Sequence, residues 1–272
     1  MMNYQTYQPH TDLSAFVKYY WTLEVPYDPK NYRQKIIPDG CIEMTFNLKE
    51  GIKRYISATD FVVHPKSMVM GQRTKSFFIE PLGDVDSFAV CFYPYGFTHF
   101  VNTPLAELLD LEVPLTDVFK AETAFQLEKD MFSASSTHER IKIIENFLFS
   151  RLNRQDAIEN LVKTTVDALL VSKGRQSIGR ILENQQSKRR QLERNFRKQI
   201  GISPKQLGKV LRLQTALKFL LSDHENLTHI AYESEYFDQA HFIKDFKEFI
   251  GTTPKEFLGD KHMQLSSLFY KD

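Results

Sequence analysis

A twelve-residue phrase occurs twice in this sequence and constrains the fold more than any other feature. FRKQIGISPKQL begins at Phe196, and FKEFIGTTPKEF begins at Phe246. In each copy an aromatic residue and an isoleucine four positions apart share one helix face, and the next residue is a glycine, which suits the left-handed end of a helix. A hydroxyl residue and a proline follow, as at an N-cap and the first position of a new helix. The phrase therefore predicts a helix end, a tight turn and a helix start, used twice.

A short helical segment and a polar break precede each copy of the repeat. SIGRILEN follows Ser177 and LTHIAYES follows Asn226, and serine and asparagine both favour the N-cap. Helix, short turn and helix form the helix-turn-helix pattern, which the sequence therefore predicts twice. The second helix of each unit is expected to bury an apolar stripe made of Leu192, Phe196 and Ile200 in the first unit and Phe242, Phe246 and Ile250 in the second.

Residues 175–260 resemble the DNA-binding domain of AraC-family transcription regulators, in which one long helix, here PKQLGKVLRLQTALKFLLSD, joins two helix-turn-helix units. The second unit, IAYESEYFDQAHFIKDFKEFIGTTPKEF, follows the family pattern of Ile-Ala, an aromatic pair, Asp-Gln, His-Phe, Phe-Lys, Gly and Thr-Pro. The resemblance implies a sequence-specific regulator that binds double-stranded DNA. The sequence departs from the family in the turns, where Gln186 and Glu235 replace glycine, and nearby, where Leu182 and Lys188 replace alanine and serine.

Charge is unevenly distributed along the chain, although the formal net charge is only +1. Residues 1–160 carry 16 basic and 21 acidic side chains, whereas residues 173–218 carry 13 basic and only two acidic ones. Residues 219–272 are acidic again, with five basic and ten acidic side chains. A dense field of one sign indicates a polyanionic partner, and nucleic acid is the leading candidate.

The first recognition helix offers the most candidate DNA contacts, because its polar residues project away from the apolar stripe. The N-terminal part of such a helix faces base edges, which favours Lys188, Arg190 and Arg194, with Glu193 as an acceptor for a cytosine amino group. Phosphate contacts are expected from Arg189, Arg197 and Lys198. By resemblance, base-contacting positions of the family correspond to Arg190, Glu193 and Arg194.

The second recognition helix presents fewer candidates. Those that face the groove are Gln239, His241 and Lys244, although His241 is equally well explained as a capping or satisfied surface histidine. The acidic residues of this unit would repel DNA unless they point away from it: Glu233, Glu235, Asp238, Asp245 and Glu248. We therefore expect a weaker DNA contact here, and RNA polymerase is a further candidate partner for this surface.

The N-terminal part up to about residue 120 is expected to be β-rich, because short aromatic and β-branched runs alternate with Gly, Pro and Asp turn signals. The stretch IIPDGCIEMTFNL, with YYWTL before it and DSFAVCFYPYGFTHFVNTPLAELLD after it, resembles the uncharacterised β-rich domain found ahead of some AraC-type DNA-binding domains. Several such strands suggest a barrel or a sandwich. The fold class is predicted as α+β, with a β-barrel or cupin-like domain that senses a small-molecule effector or oligomerises. Candidate pocket residues, for each of which plain core is the favoured interpretation, are Trp21, Met44, Phe46, Phe92, Tyr93 and Phe97. Pro38-Asp39-Gly40 is interpreted as an ordinary turn.

Two amphipathic helices are predicted between residues 136 and 174. Ser136 and Glu139 have capping-box spacing, Asp156 with Glu159 opens the second helix, and Gly174 ends it. We place the domain boundary between residues 172 and 173, so that residues 1–172 include these linker helices and residues 173–272 form the DNA-binding domain. Contacts between the subunits of a homodimer, or with the β-rich part, are expected from Ile141, Ile144, Phe147 and Leu148.

Other classes of protein lack support in the sequence. There is no signal-peptide pattern and no long apolar run, which predicts a cytoplasmic protein without a membrane partner. Cys41 and Cys91 are expected to be buried thiols and not a disulfide. The histidines form no metal-ligand cluster, and no phosphate loop or nucleophile turn is present, so we expect neither an enzyme nor a cofactor. The alternative is a β-barrel ligand-binding or dimerisation protein with a degenerate DNA-binding domain.

Overall fold

The computed structural model describes residues 2–28, 33–152, 158–183, 186–222, 226–234 and 236–269. Ten strands lie among the described residues up to position 114, and they are β1 (Asn3–Tyr7), β2 (Val17–Val25), β3 (Gln34–Ile36), β4 (Ile42–Asn47), β5 (Ile52–Tyr55), β6 (Phe61–Val63), β7 (Ser67–Met70), β8 (Phe77–Pro81), β9 (Val85–Phe92) and β10 (Glu112–Pro114). Short 3-10 helices occur at Thr11–Leu13, Gly96–His99 and Leu105–Leu108.

The strands form two antiparallel sheets and not the closed barrel that the sequence suggested. One sheet has the order β1-β2-β9-β4-β7-β10, and the other has the order β3-β8-β5-β6. Within the described residues the edge strands of each sheet do not pair to close a barrel. The predicted α+β class, with a β-rich N-terminal domain and a helical C-terminal region, is confirmed.

Strand β9 is buried on both faces, and its side chains alternate between two layers of the hydrophobic core. Phe88 and Phe92 point towards the helices of the N-terminal domain, whereas Ala89 and Cys91 point to the opposite face, together with Trp21. This follows from the period of two along a strand. The second face is the one that lines the cavities described below.

Eleven α-helices lie in the described part of the chain after the strands. They are α1 (Leu115–Val118), α2 (Ala121–Ser133), α3 (Thr137–Arg151), α4 (Asn160–Val171), α5 (Ile178–Ile181), α6 (Arg189–Ile200), α7 (Pro204–Ser222), α8 (Leu227–Glu233), α9 (Gln239–Ile250), α10 (Pro254–Leu258) and α11 (Gln264–Phe269). None of the described helices is long and apolar enough to cross a membrane.

Helix α3 packs on the β-rich domain. Ser136 caps it by accepting the Glu139 N–H, as predicted. Ile144, Phe147 and Leu148 are buried in the same core as Phe88, and Ile141 packs against that core. Of the two expectations for these side chains, contact with the β-rich part is therefore the one observed.

Helix α4 packs instead against the helical region. Val162, Val166 and Leu169 share a core with Leu192 of α6. Gly174 follows α4 with a φ of 75° and donates its N–H to Leu169, so it closes the helix as predicted. The helix thus begins after Glu159, and the predicted cap residue Asp156 lies outside the described residues.

Candidate nucleic-acid interface

The first helix-turn-helix unit consists of α5 and α6. Ser177 caps α5 by accepting the Arg180 N–H. Gln186 lies in a 3-10 turn before α6 and donates its side-chain amide to the Gly179 carbonyl over 2.9 Å. Among the described non-glycine residues only Asp110 and Lys173 have a positive φ, so Gln186 replaces the usual glycine without left-handed strain. Glu235 of the second turn lies outside the described residues.

Helix α6 has one buried face and one basic face. Leu192, Phe196 and Ile200 are fully buried, as the sequence predicted. All seven predicted DNA contacts of this unit are exposed, namely Lys188, Arg189, Arg190, Glu193, Arg194, Arg197 and Lys198. The one acidic member, Glu193, is held 3.7 Å from Arg189 one turn earlier. The helix therefore presents a nearly uniform positive surface to solvent.

A groove of about 480 Å³ runs beside α6. It lies between the start of α5, the exposed side of α6 and the start of α7, and its basic lining residues are Arg189, Arg197, Lys205 and Arg212. A concave basic surface beside a recognition helix suits the passage of a phosphate backbone. Arg189 and Arg197 lie on the side of the helix that faces the groove.

Glu159 anchors the middle of α6 from the linker. Its carboxylate accepts the Gln191 amide over 2.6 Å and also accepts the Asn195 amide, while its N–H donates to Gln199 over 3.2 Å. These contacts fix the rotation of α6 about its axis. The sequence identified Glu159 only as part of a helix start, because its partners lie more than thirty residues away.

The second unit consists of α8 and α9. Asp238 caps α9 by accepting the His241 N–H over 2.7 Å. Phe242, Phe246 and Ile250 are buried as predicted, and Gly251 ends the helix with a φ of 86°. Thr253 then opens α10 with a full capping box to Glu256.

The acidic residues of α9 are turned towards α7. Asp245 is only 3% exposed, and its carboxylate lies 3.1 Å from the Lys209 Nζ and 3.9 Å from an Arg212 Nη. Glu248 also pairs with Lys209, at 3.0 Å. The buried Asp245 and the exposed Glu248 are thus both paired with a cation of α7, which removes part of the repulsion that the sequence implied.

The three predicted groove residues of α9 differ in their surroundings. Gln239 accepts a hydrogen bond from Thr228 over 2.8 Å. The half-buried His241 ring packs edge-on against Tyr236 and has its Nε2 3.6 Å from Asp245, which favours the satisfied-histidine interpretation. Lys244 is exposed. Of these three residues, Lys244 is therefore the one that presents a charge to solvent.

The β-rich domain contacts the C-terminal end of α9. Lys35 Nζ and Ser76 Oγ both donate to the Ile250 carbonyl at 3.0 Å, and the Ser76 N–H donates to the Phe249 carbonyl at 2.8 Å. Burial lowers the pKa of Lys35. Carbonyls at a helix end have no partner within the helix, so the β-rich domain supplies their hydrogen bonds.

The loop before β4 contacts α7. Gly40 has a φ of 80°, and an added Cβ there would lie 3.2 Å from Leu207 and 3.6 Å from Val210. The Pro38 carbonyl accepts the Gln214 amide, and Gln72 donates to the Gly40 carbonyl over 2.8 Å. This segment, predicted as a simple turn, is thus the docking point of the long helix.

Two adjoining cavities of about 80 Å³ each lie between the two sheets, below α11. Of the predicted pocket residues only Trp21 lines them. Tyr93 stacks on Tyr95 near the linker, and the remaining four are core, namely Met44, Phe46, Phe92 and Phe97. Leu265 and Phe269 of α11 close the space, and Phe269 lies 6.1 Å from the Trp21 ring.

Several ionisable groups line these cavities. Glu43 accepts the Trp21 indole N–H over 3.0 Å, and burial raises the pKa of Glu43 to about 8. Burial lowers the pKa of His64 to about 4, so this imidazole is neutral. Arg73 is buried against Glu112 and has its guanidinium 4.6 Å from the Phe77 ring centre. The lining is therefore apolar with a few polar groups, as in small-molecule sites.

Comparison with protein families gives two matches. Residues 5–114 match the family described as "Domain of unknown function (DUF6597)". Residues 186–260 match the family described as "Helix-turn-helix domain", which is of the AraC type. No curated protein matches the sequence.

Solved structures that align with this chain over most of its length include those of ToxT from Vibrio cholerae. The 1.65 Å structure is 10% identical, with 97% of this chain and 98% of that chain covered and a TM-score of 0.49. ToxT bound to (E)-4-(8-methylnaphthalen-1-yl)but-3-enoic acid is 11% identical, with 94% and 98% covered and a TM-score of 0.48. ToxT with an unsaturated fatty acid is 13% identical, with 95% and 94% covered and a TM-score of 0.44.

Proposed function

We propose that this chain, a DNA-binding regulator with a DUF6597 domain followed by an AraC-type helix-turn-helix domain, controls transcription by reading a specific DNA sequence through α6. The observation that carries the proposal is the exposed face of α6, where five of the seven exposed polar residues are basic and Lys188 at the N-cap adds a sixth positive charge. The buried stripe and the Glu159 contacts hold this face outward.

The charged residues of α6 and its N-cap Lys188 are assigned by their positions on the helix. Arg190 and Arg194 lie one turn apart and suit bidentate contacts with guanine, whereas Lys188 contacts a base at the N-terminal end. Glu193 accepts from a cytosine amino group. Arg189, Arg197 and Lys198 bind phosphates, which positions the helix without reading sequence.

The second unit adds a weaker contact. Lys244 is an exposed cation of α9, while Gln239 and His241 are already engaged with Thr228 and Asp245. We assign Gln239, His241 and Lys244 to the adjacent groove, with most of the affinity coming from α6. RNA polymerase is a candidate partner for the same unit, because Tyr232 and Phe237 are 77% and 92% exposed there.

A small-molecule effector would bind between the two sheets of the β-rich domain. The present cavities are smaller than the roughly 300–1,000 Å³ of typical ligand sites. An effector with an apolar body would therefore take the place of Phe269 and Leu265, with a polar group towards Glu43 and Arg73. Its entry would move α11, which belongs to the C-terminal region, and so couple effector binding to the DNA-binding domain.

A homodimer is proposed through strand β6. This strand is at the edge of its sheet, and all three of its residues, Phe61, Val62 and Val63, are exposed. Val63 lies beside Gly51, as does the exposed Leu82, so the apolar surface continues past the strand. An exposed apolar edge strand is a ready site for pairing with another strand.

Capture and sequencing of genomic DNA fragments by the purified protein tests the proposed function. A shared motif should be enriched by the wild type and lost with the double substitution Arg190→Ala and Arg194→Ala. Enrichment that is equal for all fragments, or no salt-sensitive binding at all, would favour the alternative of a ligand-binding or dimerisation protein with a degenerate DNA-binding domain.

A further inference from the structure

Both cysteines of the chain lie close together in the β-rich domain, beside an aspartate. Cys41 and Cys91 are free and buried, as the sequence predicted. Ligand atoms of Asp39, Cys41 and Cys91 all lie within 4.8 Å of one another. Asp39 and Cys41 also line the cavity below α11, so the cluster can be reached from that cavity.

Two thiols and a carboxylate in this arrangement form a donor set for a soft or borderline metal ion. Zinc takes cysteine sulfur at about 2.3 Å and carboxylate oxygen at about 2.0–2.2 Å in tetrahedral sites. Two ligands on one such ion lie within about 4 Å of each other at these bond lengths. The observed separations need only small side-chain movements to reach that geometry.

The strand register favours a bridging metal over a disulfide. Cys91 pairs with Glu43 across the β4–β9 ladder, so Cys41, two residues before Glu43, is its diagonal neighbour. Diagonal neighbours are typically about 7–8 Å apart at their Cα atoms. A disulfide needs Cα atoms at about 4.4–6.8 Å, whereas an ion between the two sulfurs spans the longer separation.

We propose that Asp39, Cys41 and Cys91 bind a thiophilic divalent cation of the zinc class, with a fourth position left for water. Each thiol loses its proton on binding, so the ion is held by two thiolates and one carboxylate. The Asp39 Oδ1 accepts the Cys41 N–H over 2.9 Å, which already orients the carboxyl group towards the cysteine. Lys18 Nζ lies 3.9 Å from the Cys41 sulfur, and this exposed side chain would move into solvent as the ion enters.

Metal binding at this site would affect the contact between the β-rich domain and α7 of the DNA-binding domain. Gly40, between two of the ligands, packs on Leu207 and Val210 of α7, and the Pro38 carbonyl accepts from Gln214 of the same helix. An ion bound to Asp39 and Cys41 would fix this docking segment. Binding of the ion itself does not depend on whether the chain reads DNA.

Titration of the full-length protein with cadmium, under a reductant that contains no thiol, tests the site. Because the chain has only two cysteines, any thiolate-to-cadmium absorption in the ultraviolet must come from them. We expect saturation at one ion per chain with the absorption of two thiolates, and competition by zinc. Cys41→Ser and Cys91→Ala should each remove about half of that absorption.

Asp39→Asn is the sharper variant, because the asparagine oxygen can still accept the Cys41 N–H and both cysteines remain. It should weaken binding by about tenfold or more, as expected for loss of a metal-site group. The matched control, Asp117→Asn, removes an exposed carboxylate on α1 and should leave affinity unchanged. No thiolate absorption in excess cadmium, or equal affinity in wild type and Asp39→Asn, would overturn the proposal.

Discussion

The Lys35 Nζ donates a hydrogen bond over 3.0 Å to the backbone carbonyl of Ile250, the last residue of the second recognition helix. A β-strand residue thus completes the end of a helix that lies more than two hundred residues further along the chain. Ser76 shares the same acceptor. The β-rich domain and the helix-turn-helix domain are therefore joined by specific polar contacts as well as by apolar packing.

Loss of this contact should destabilise the docked arrangement. Lys35→Met should cost about 1.5–3 kcal/mol because the donor is charged, and Ser76→Ala about 0.5–1.5 kcal/mol. Urea unfolding measures both values, and amide hydrogen exchange at the end of α9 should rise. Lys129→Met, an exposed change on α2, is the control. Equal stability of Lys35→Met and the control would show that the Lys35 contact contributes nothing in solution.

The local features of the helical region could be predicted from the sequence, because they depend on neighbouring residues. The buried stripe of α6 and the left-handed Gly201 and Gly251 follow from helix periodicity and from the lack of a Cβ in glycine. The docking role of Gly40 could not be predicted. Its turn chemistry is ordinary, and its contacts lie on a helix that is distant in the sequence.

The proposed metal ligands likewise could not be predicted from the sequence. Cys41 and Cys91 are fifty positions apart and have no ligand-spaced neighbour, so a spacing rule does not detect them. Only the pairing of β4 with β9 brings them together. In the same way, the number of short strands was compatible with a barrel or a sandwich, because strand order is fixed by long-range pairing that the sequence pattern does not specify.

Titration of Glu43 should be visible through Trp21, the single tryptophan of the chain. Because burial raises the pKa of Glu43 from 4.5 to about 8, Trp21 emission should change with a midpoint near that value. Glu43→Gln should abolish this transition. A transition that persists in Glu43→Gln would assign it to another group.

The raised pKa of Glu43 also makes the stability of the folded chain depend on pH. Between pH 4.5 and about 8 the folded chain holds the Glu43 proton and the unfolded chain releases it, so this contribution to stability is lost as pH rises. Relative to wild type, Glu43→Gln should therefore become more stable as pH increases across that interval. Urea unfolding at several pH values measures the difference, and a constant difference would contradict a raised pKa.

The proposed dimer depends on the edge strand β6. Val62→Asp places a charge on the exposed apolar surface and should convert a dimer into a folded monomer in sedimentation at micromolar concentration. Val171→Asp makes the same change at an exposed site on α4 and should leave the dimer intact. A monomeric wild-type chain, or a dimer unaffected by Val62→Asp, would show that β6 is not the interface.

Spacing within the DNA site should report on the second unit. Two units joined by α7 are expected to enter successive major grooves, about 34 Å apart on one face of the duplex. Insertion of about five base pairs between the two sub-sites would move one of them to the opposite face. The footprint should then shrink to the sub-site that α6 contacts, and the affinity should fall to the value for that sub-site alone. An unchanged footprint would mean that α9 does not contact DNA.

The central claim is that α6 reads the DNA sequence. Its most direct test compares arginines assigned to bases with an arginine assigned to phosphate, by measuring the affinity of each variant for the preferred site and for random DNA. Arg190→Ala and Arg194→Ala should each cost about 1–3 kcal/mol on the preferred site and relax one base position. Arg197→Ala should weaken both DNAs alike and reduce the salt slope by about one. Lys142→Ala, on the exposed side of α3, serves as the control. If all three arginine variants lost the same affinity on both DNAs, α6 would not be the helix that reads sequence.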